Sequence, residues 1–331
     1  MASRGQKPGQ VAGVALDWGG YLDALAVEHG SLAAVGERLA ATRAFRDDLE
    51  SITRALRRLR GRASLPGGKW GDRLLATFGL PRSVDDRLRF MGSYHARFVD
   101  LPVPVCADLV QLWDRPPTSE SRAGRRWLSL ARATLALRGR RFEEAEGHLA
   151  TAASADDGDP AGRAEVALGQ GVLAARERPA ELPAVLAPVA GWIDAAVGPD
   201  ALCLRARYIG QVAHALNHAG EIDRALALHR AIPDGPEVPA FARSRRANGL
   251  AYGHHRRGEH AQALVQARLA ATFAGDAGHV RLRAMALLMV ARVAGASDEG
   301  RDAHGRAAAI AEALDDDTLR RRTAAAARDV A

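Results

Sequence analysis

The residues of this chain best suited to chemistry are guanidinium groups carried by one short segment. In Ile52-Thr-Arg-Ala-Leu-Arg-Arg-Leu-Arg-Gly-Arg62 the apolar residues Ile52, Leu56 and Leu59 fall within a narrow arc at about 100° per residue, and Arg54, Arg57 and Arg58 lie away from it. From Thr53 to Arg73 seven basic residues stand against one acidic residue, Asp72, so the segment is a local positive patch. A helix docked by one apolar stripe with guanidinium groups outward suits duplex DNA. Phosphates then supply affinity, and bidentate arginine reads guanine edges. The expected contact set is Thr53, Arg54, Arg57, Arg58, Arg60, Arg62 and Lys69. The plain alternative is a solvated arginine-rich face.

Other reactive constellations are sparse. Ala63 to Trp70 has the look of a phosphate loop, but Ala63 replaces its first glycine, Trp70 replaces the Ser/Thr after Lys69, and no strand precedes it. The backbone amides of Gly67-Gly68-Lys69 remain candidates for contact with a DNA backbone. His214 and His218 are four apart, a spacing at which two imidazoles can share a metal, but no third ligand stands nearby. His254, His255 and His260 flank a turn at Arg256-Arg257-Gly258, where exposure is expected. Asp156, Asp157 and Asp159, and Asp315 to Asp317, read as turn and capping clusters. No nucleophile elbow, zinc-protease motif or dinucleotide fingerprint occurs. The expectation is a protein that is not an enzyme and uses no metal or cofactor.

Composition narrows the class further. Hydrophobic residues make up 47% of the 331 and aromatic residues only 5%, with abundant alanine, a mix that favours closely packed helices over a β-sandwich. The formal charge of +7 permits nucleic-acid or acidic-protein partners. Two cysteines, Cys106 and Cys203, are too few for a four-cysteine zinc site or a multi-bridge disulfide framework, and both read as buried thiols of a reducing compartment. No apolar stretch reaches the length of a membrane span, and Val11 to Leu16 is too short for a secretory core. The expected setting is the cytoplasm, with no membrane partner.

The elements that must position these groups show a repeat. Ala145/Leu149/Ala152, Val185/Val189/Trp192, Ala225/His229/Ile232, Ala263/Ala267/Ala270 and Ala303/Ala307/Ile310 share the offsets 0, +4 and +7, and their first members are 40, 40, 38 and 40 residues apart. Such triplets mark one face of a helix, and their recurrence marks a stacked array. The units resemble the tetratricopeptide repeat family: Trp127, Leu130 and Ala131 precede a turn at Arg138-Gly139 before Phe142 and Ala145, and Val212-Ala213 precede Gly220, Ile222 and Ala225. Leu250-Ala251 then precede Gly258 and Ala263. Pro179, Pro183 and Pro188 interrupt the second unit. By this resemblance Arg207, Gly210, His214 and Asn217 line one first helix, and Arg245, Asn248, Tyr252 and His255 line the next. Side-chain amides and guanidinium groups in such a groove suit an acidic peptide or protein, or a terminal carboxylate.

Ahead of the array, the pattern predicts helices over Tyr21–His29, Leu32–Ala41 with Ser31 as cap, a third ending near Arg60, and Trp70–Phe78. The stretch His29-Gly-Ser-Leu-Ala-Ala-Val-Gly-Glu-Arg-Leu39, followed by Ile52 to Gly61 and Trp70 to Pro81, resembles the phage-repressor (Cro-type) helix-turn-helix family. The resemblance implies that Leu32–Ala41 supports a recognition helix at Ser51–Arg60. Nine residues, Thr42 to Glu50, stand where that family has three or four, so either a loop is inserted or one long helix runs from Arg43. Residues 82–120 read as an ordered connector, helical over Val84–Val99 and extended over Leu101–Val105. The expected protein is all-α: a flexible tail (1–14), a helix-turn-helix-like domain (15–81), the connector (82–120) and a tetratricopeptide-like α-solenoid of about five repeats (121–331). The function expected is a DNA-binding transcriptional regulator whose array senses a peptide or partner or forms a homodimer. The alternative is a scaffold that binds an acidic protein without nucleic acid.

Overall fold

A computed structural model describes residues 16–42 and 47–330, so the expected tail lies outside the described residues, as does 43–46. Among the described residues every regular element is helical. Two compact units result: one holds the chain up to Asp86 with Gln111–Arg125, the other Arg87–Val110 with Arg126–Ala331.

In the first unit α1 (Trp18–His29), α2 (Leu32–Ala41), α3 (Leu49–Arg60) and α4 (Gly68–Phe78) each begin where the local chemistry allows. The Asp17, Ser31 and Asp48 side chains accept from the amides of Gly20, Ala34 and Ser51, satisfying donors that a helix start leaves free. Asp48 is extended (φ −73°, ψ 160°), so no helix runs unbroken from Arg43 to Arg60. Residues 42–48 separate α2 from α3. The core is the meeting of four apolar stripes: Trp18, Tyr21, Leu22 and Leu25 from α1, Val35 and Leu39 from α2, Ile52, Leu56 and Leu59 from α3, and Leu74 from α4. Its polar edges are satisfied, since the Trp18 indole donates to Leu65 O (3.0 Å) and the Tyr21 hydroxyl to Gly79 O (2.8 Å).

The second unit contains the end of α5 (Arg82–Gly92), a 3-10 turn at Arg97–Asp100, and most of α6 (Val103–Trp113) and α7 (Arg122–Arg138). Then follow α8 (Phe142–Ser154), α9 (Pro160–Glu177), α10 (Leu182–Leu186), α11 (Val189–Ala195), α12 (Pro199–His218), α13 (Ile222–Arg230), α14 (Ala240–Arg256), α15 (His260–Asp276), α16 (Val280–Ala294), α17 (Asp298–Ala313) and α18 (Asp317–Val330). α9, α12, α14, α16 and α18 pack on one another in that order, and the intervening helices pair with their neighbours in sequence. The recurring small residues lie at these crossings: Ala145, Ala152, Ala225, Ala263, Ala267, Ala270, Ala303 and Ala307 are buried. The glycines opposite them permit the close approach, and a Cβ at Gly169 would stand 2.6 Å from Leu149. Pro183 and Pro188 split the second helix of the degenerate unit into α10 and α11.

The stretch 82–120 departs from expectation. α5 stops at Gly92 rather than running to Val99, because the amide of Tyr94 donates to the Glu165 carboxylate (3.3 Å) and leaves the helical ladder. The extended run ends at Pro102: α6 starts at Val103, with Pro104 in its first turn, where no amide donor is needed. The stretch also divides, 87–110 packing in the second unit and 111–120 in the first.

Gly67 is pinned between Trp18 and Gly71, and a Cβ there would overlap the Trp18 ring. Gly67→Ala is therefore expected to destabilise the first unit by about 1–3 kcal/mol, read as a loss of denaturant midpoint at unchanged m-value. No loss would show that the Trp18 ring can move aside.

Candidate functional site

On α3 the apolar stripe is consumed by the core, and the basic residues fall on the other side. Arg54, Arg57, Arg58, Arg60, Arg62 and Lys69 are exposed and Thr53 is half-buried. Their partners sort them. The Thr53 hydroxyl donates to Leu49 O, Arg54 pairs with Glu50 (2.7 Å), Arg60 with Asp23 (2.6 Å), and Arg62 donates to Pro66 O (2.6 Å). Among the described residues Arg57, Arg58 and Lys69 have no ion-pair partner. The expected backbone contact through Gly67 is corrected: that residue is buried, and its amide is taken by both oxygens of Glu120 (3.2 Å each).

In the second unit α7, α8, α9, α12, α14, α16 and α18 line a cavity of about 590 Å3. α7, α8 and α9 give it an apolar wall, including Leu130, Leu137, Phe142 and Val172. α9, α12, α14, α16 and α18 give it arginines. Seven arginines line it against a single carboxylate, Glu165, so the cavity carries a large positive excess. An adjoining cavity of about 360 Å3 shares Gly210, His214, Arg245 and Arg322 with the first.

Beneath these cavities a chain of charges crosses the unit. His95 stands between two carboxylates, Nδ1 3.2 Å from Glu165 and Nε2 3.0 Å from Asp200. Glu165 also pairs with Arg207, whose guanidinium stacks 4.5 Å from the Tyr94 ring centroid. Arg281 donates to the Tyr94 hydroxyl (2.6 Å) and to Asp316 (2.8 Å), and Asp316 accepts from Arg138 (2.9 Å). Arg138 then donates to the carbonyls of Leu101 (3.0 Å) and Leu314 (3.1 Å). Asp316 is fully buried, which its reading within a turn and capping cluster does not anticipate. It also caps α18 through the Leu319 amide (2.9 Å). Burial opposes charge on His95, yet Asp200 and Glu165 raise it to about 9. Burial would likewise raise the Tyr94 phenol, but Arg281, Arg245, Arg207 and Arg322 outweigh it and bring it down to about 8.

Comparison with known protein families, curated proteins and solved structures finds no match. The geometry alone must carry the functional reading.

Of the groove residues expected from the sequence, Arg207, His214 and Arg245 line the larger cavity. Asn217, Asn248 and Tyr252 line the adjoining one, and His255 lines neither. The His214 and His218 rings meet edge to face, 4.4 Å between centroids, and among the described residues no group of three metal-ligating side chains forms. Sequence reasoning missed Tyr94, Glu165, Arg281 and Arg322. A signal for the last two existed, because Arg207, Arg245, Arg281 and Arg322 are 38, 36 and 41 residues apart, close to the repeat period.

The two buried titrations act in opposite directions. The folded His95 value lies above the ordinary one of about 6.5, so its contribution is complete below that pH and lost as pH rises through about 9. The folded Tyr94 value lies below the ordinary one of about 10, so its contribution grows between about 8 and 10. One equivalent of tyrosinate absorbance is therefore expected with a midpoint near pH 8, absent in Tyr94→Phe. That variant should lose more stability than the parent between neutral pH and pH ~9.5. A parent with no tyrosinate below pH ~9.5 would contradict the arginine cluster around Tyr94.

Proposed function

We propose that this protein is a DNA-binding transcriptional regulator, with a helix-turn-helix-like N-terminal unit and a tetratricopeptide-like α-solenoid that senses a peptide or partner. The carrying observation is α3: Ile52, Leu56 and Leu59 hold it to a core, while among the described residues Arg57 and Arg58 have no ion-pair partner and Arg54 has a solvent-exposed Glu50. An exposed i,i+4 pair of this kind is worth a few tenths of a kcal/mol, so a phosphate can displace Glu50 from Arg54. Arg54, Arg57 and Arg58 would anchor α3 in a major groove, with Lys69 at the flank. Arg60, whose pair with Asp23 is also solvent-exposed, can join them, whereas Arg62 is turned to the Pro66 carbonyl of its own unit. In this reading no chemistry is catalysed: the second unit converts occupancy of its cavity into a change in how two DNA-binding heads are presented.

The test is duplex DNA binding across a salt series, beside an Arg54/Arg57/Arg58→Ala variant. Each phosphate contact contributes about 0.9 to the slope of log affinity against log salt, so the variant should flatten the slope by about 2–3 units. No binding by the parent at low salt, or equal slopes, would overturn DNA recognition through α3 and leave the scaffold reading.

A further inference from the structure

The arginines of the cavity divide into those whose charge is met and those whose charge is not. Arg207 is paired with Glu165, Arg281 with Asp316 and Arg176 with Glu177. Among the described residues no carboxylate lies within ion-pairing distance of Arg140, Arg245, Arg321 or Arg322. Gly210 leaves room for Arg245 in this position: a Cβ at 210 would come within 2.6 Å of its Nη2, and the arginine tip would have to shift. Arg245 and Arg322 both act on the Tyr94 hydroxyl, to which Arg281 already donates, so three guanidinium groups share one neighbourhood. Desolvation first, and then the charge of neighbouring arginines (Arg207, Arg322 and Arg281 for Arg245; Arg281 and Arg292 for Arg322), push both below the usual arginine range. Arg281 has its anion in Asp316, whereas Arg245 and Arg322 beside it gain from an anion that enters the cavity.

We propose that this cavity binds a phosphate monoester, with its head taken by Arg245, Arg281 and Arg322 beside the Tyr94 hydroxyl and an apolar body against Leu130, Leu137 and Phe142. The proposal rests on the reading of the cavity as the sensing site, and not on DNA binding. Charge and shape favour phosphate over a single carboxylate. A phosphate monoester carries about −1.5 to −2 charges at neutral pH and three terminal oxygens, which three converging guanidinium groups can each engage. A lone carboxylate satisfies one guanidinium bidentately and leaves the others repelling. The apolar wall on α7 and α8, with Val172 exposed beside it, gives the ester group a surface that inorganic phosphate cannot use. The volume lies within the range of small-ligand sites, about 300–1,000 Å3.

The test uses the full chain and calorimetric titration with phenyl phosphate, inorganic phosphate, a phosphoserine peptide and an acidic peptide without phosphate. Phenyl phosphate should bind with one site per chain, about tenfold tighter than inorganic phosphate, and raise the Tyr94 titration midpoint by offsetting the arginine field. Arg245→Gln and Arg322→Gln should each weaken it at least tenfold with no loss of thermal stability, because each removes a like charge. Arg301→Gln, outside the cavity, should bind as the parent does. Preference between phenyl phosphate and the phosphopeptide identifies the source of the same head group, and either supports the site. Binding of the acidic peptide with none of phenyl phosphate would overturn the phosphate assignment. Equal binding by the parent and the Arg245 and Arg322 variants, or no saturable binding of any probe, would overturn the site itself. Neither result touches the salt-slope measurement, which reports on α3 alone.

Discussion

The arrangement of the second unit depends on one buried carboxylate. Asp316 is fully excluded from solvent and is held by Arg138 from α7 and Arg281 from α16, while its other oxygen caps α18. Burying three ionised groups together is tolerable only when each is hydrogen-bonded, and removal of one would strand the others. That condition fixes where α7, α16 and α18 come together. Through Arg138 it also fixes the backbone of Leu101 and Leu314, and through Arg281 it fixes Tyr94. The same logic repeats at Glu165, which binds Arg207, His95 and the amide of Tyr94. Residues 93–101 are thus an internal strut of the second unit rather than a linker.

This strut also explains why the cavity is basic. Glu165 lines the cavity and pairs with Arg207, and Asp316, which does not line it, pairs with Arg281. Among the described residues Arg245 on α14 and Arg322 on α18, to either side of α16, have no carboxylate within ion-pairing distance. A surface that was merely solvated would intersperse charges of both signs. Here one sign is concentrated along one concave surface, which makes the site selective for charge first and for shape second.

The helices and their buried faces were largely legible in the sequence. The triplets from Ala145/Leu149/Ala152 to Ala303/Ala307/Ile310 depend on a period of 3.6 residues within a helix and about 40 along the chain, and both are local or regular properties. Ser31 and Asp48 are short-range signals of the same kind, as is the α3 stripe of Ile52, Leu56 and Leu59. The ion chain was not legible, because Arg138 and Asp316 are 178 residues apart and each alone looks like an ordinary turn residue. Two of the seven arginines of the cavity were accessible by analogy between units: Arg207 and Arg245 occupy matched positions. Arg281 and Arg322 continue the series, but the spacing drifts from 38 to 36 to 41. The end of α5 at Gly92 was hidden for a similar reason, since the group that draws Tyr94 out of the helix is Glu165, 71 residues away.

Buried ion pairs make residues 93–106 part of the second unit's core. Native-state hydrogen exchange measures this directly, because it reports the free energy at which each amide opens. The amides of Tyr94, Val99, Leu101, Val103 and Cys106 should exchange with the slowest class, together with those at the centres of α9 and α16, and should all be lost together in Asp316→Ala. Exchange of this stretch at a much lower opening free energy than α9 and α16 would mean that it opens by itself. The ion chain would then be an ornament on a fold held by its helix packing alone.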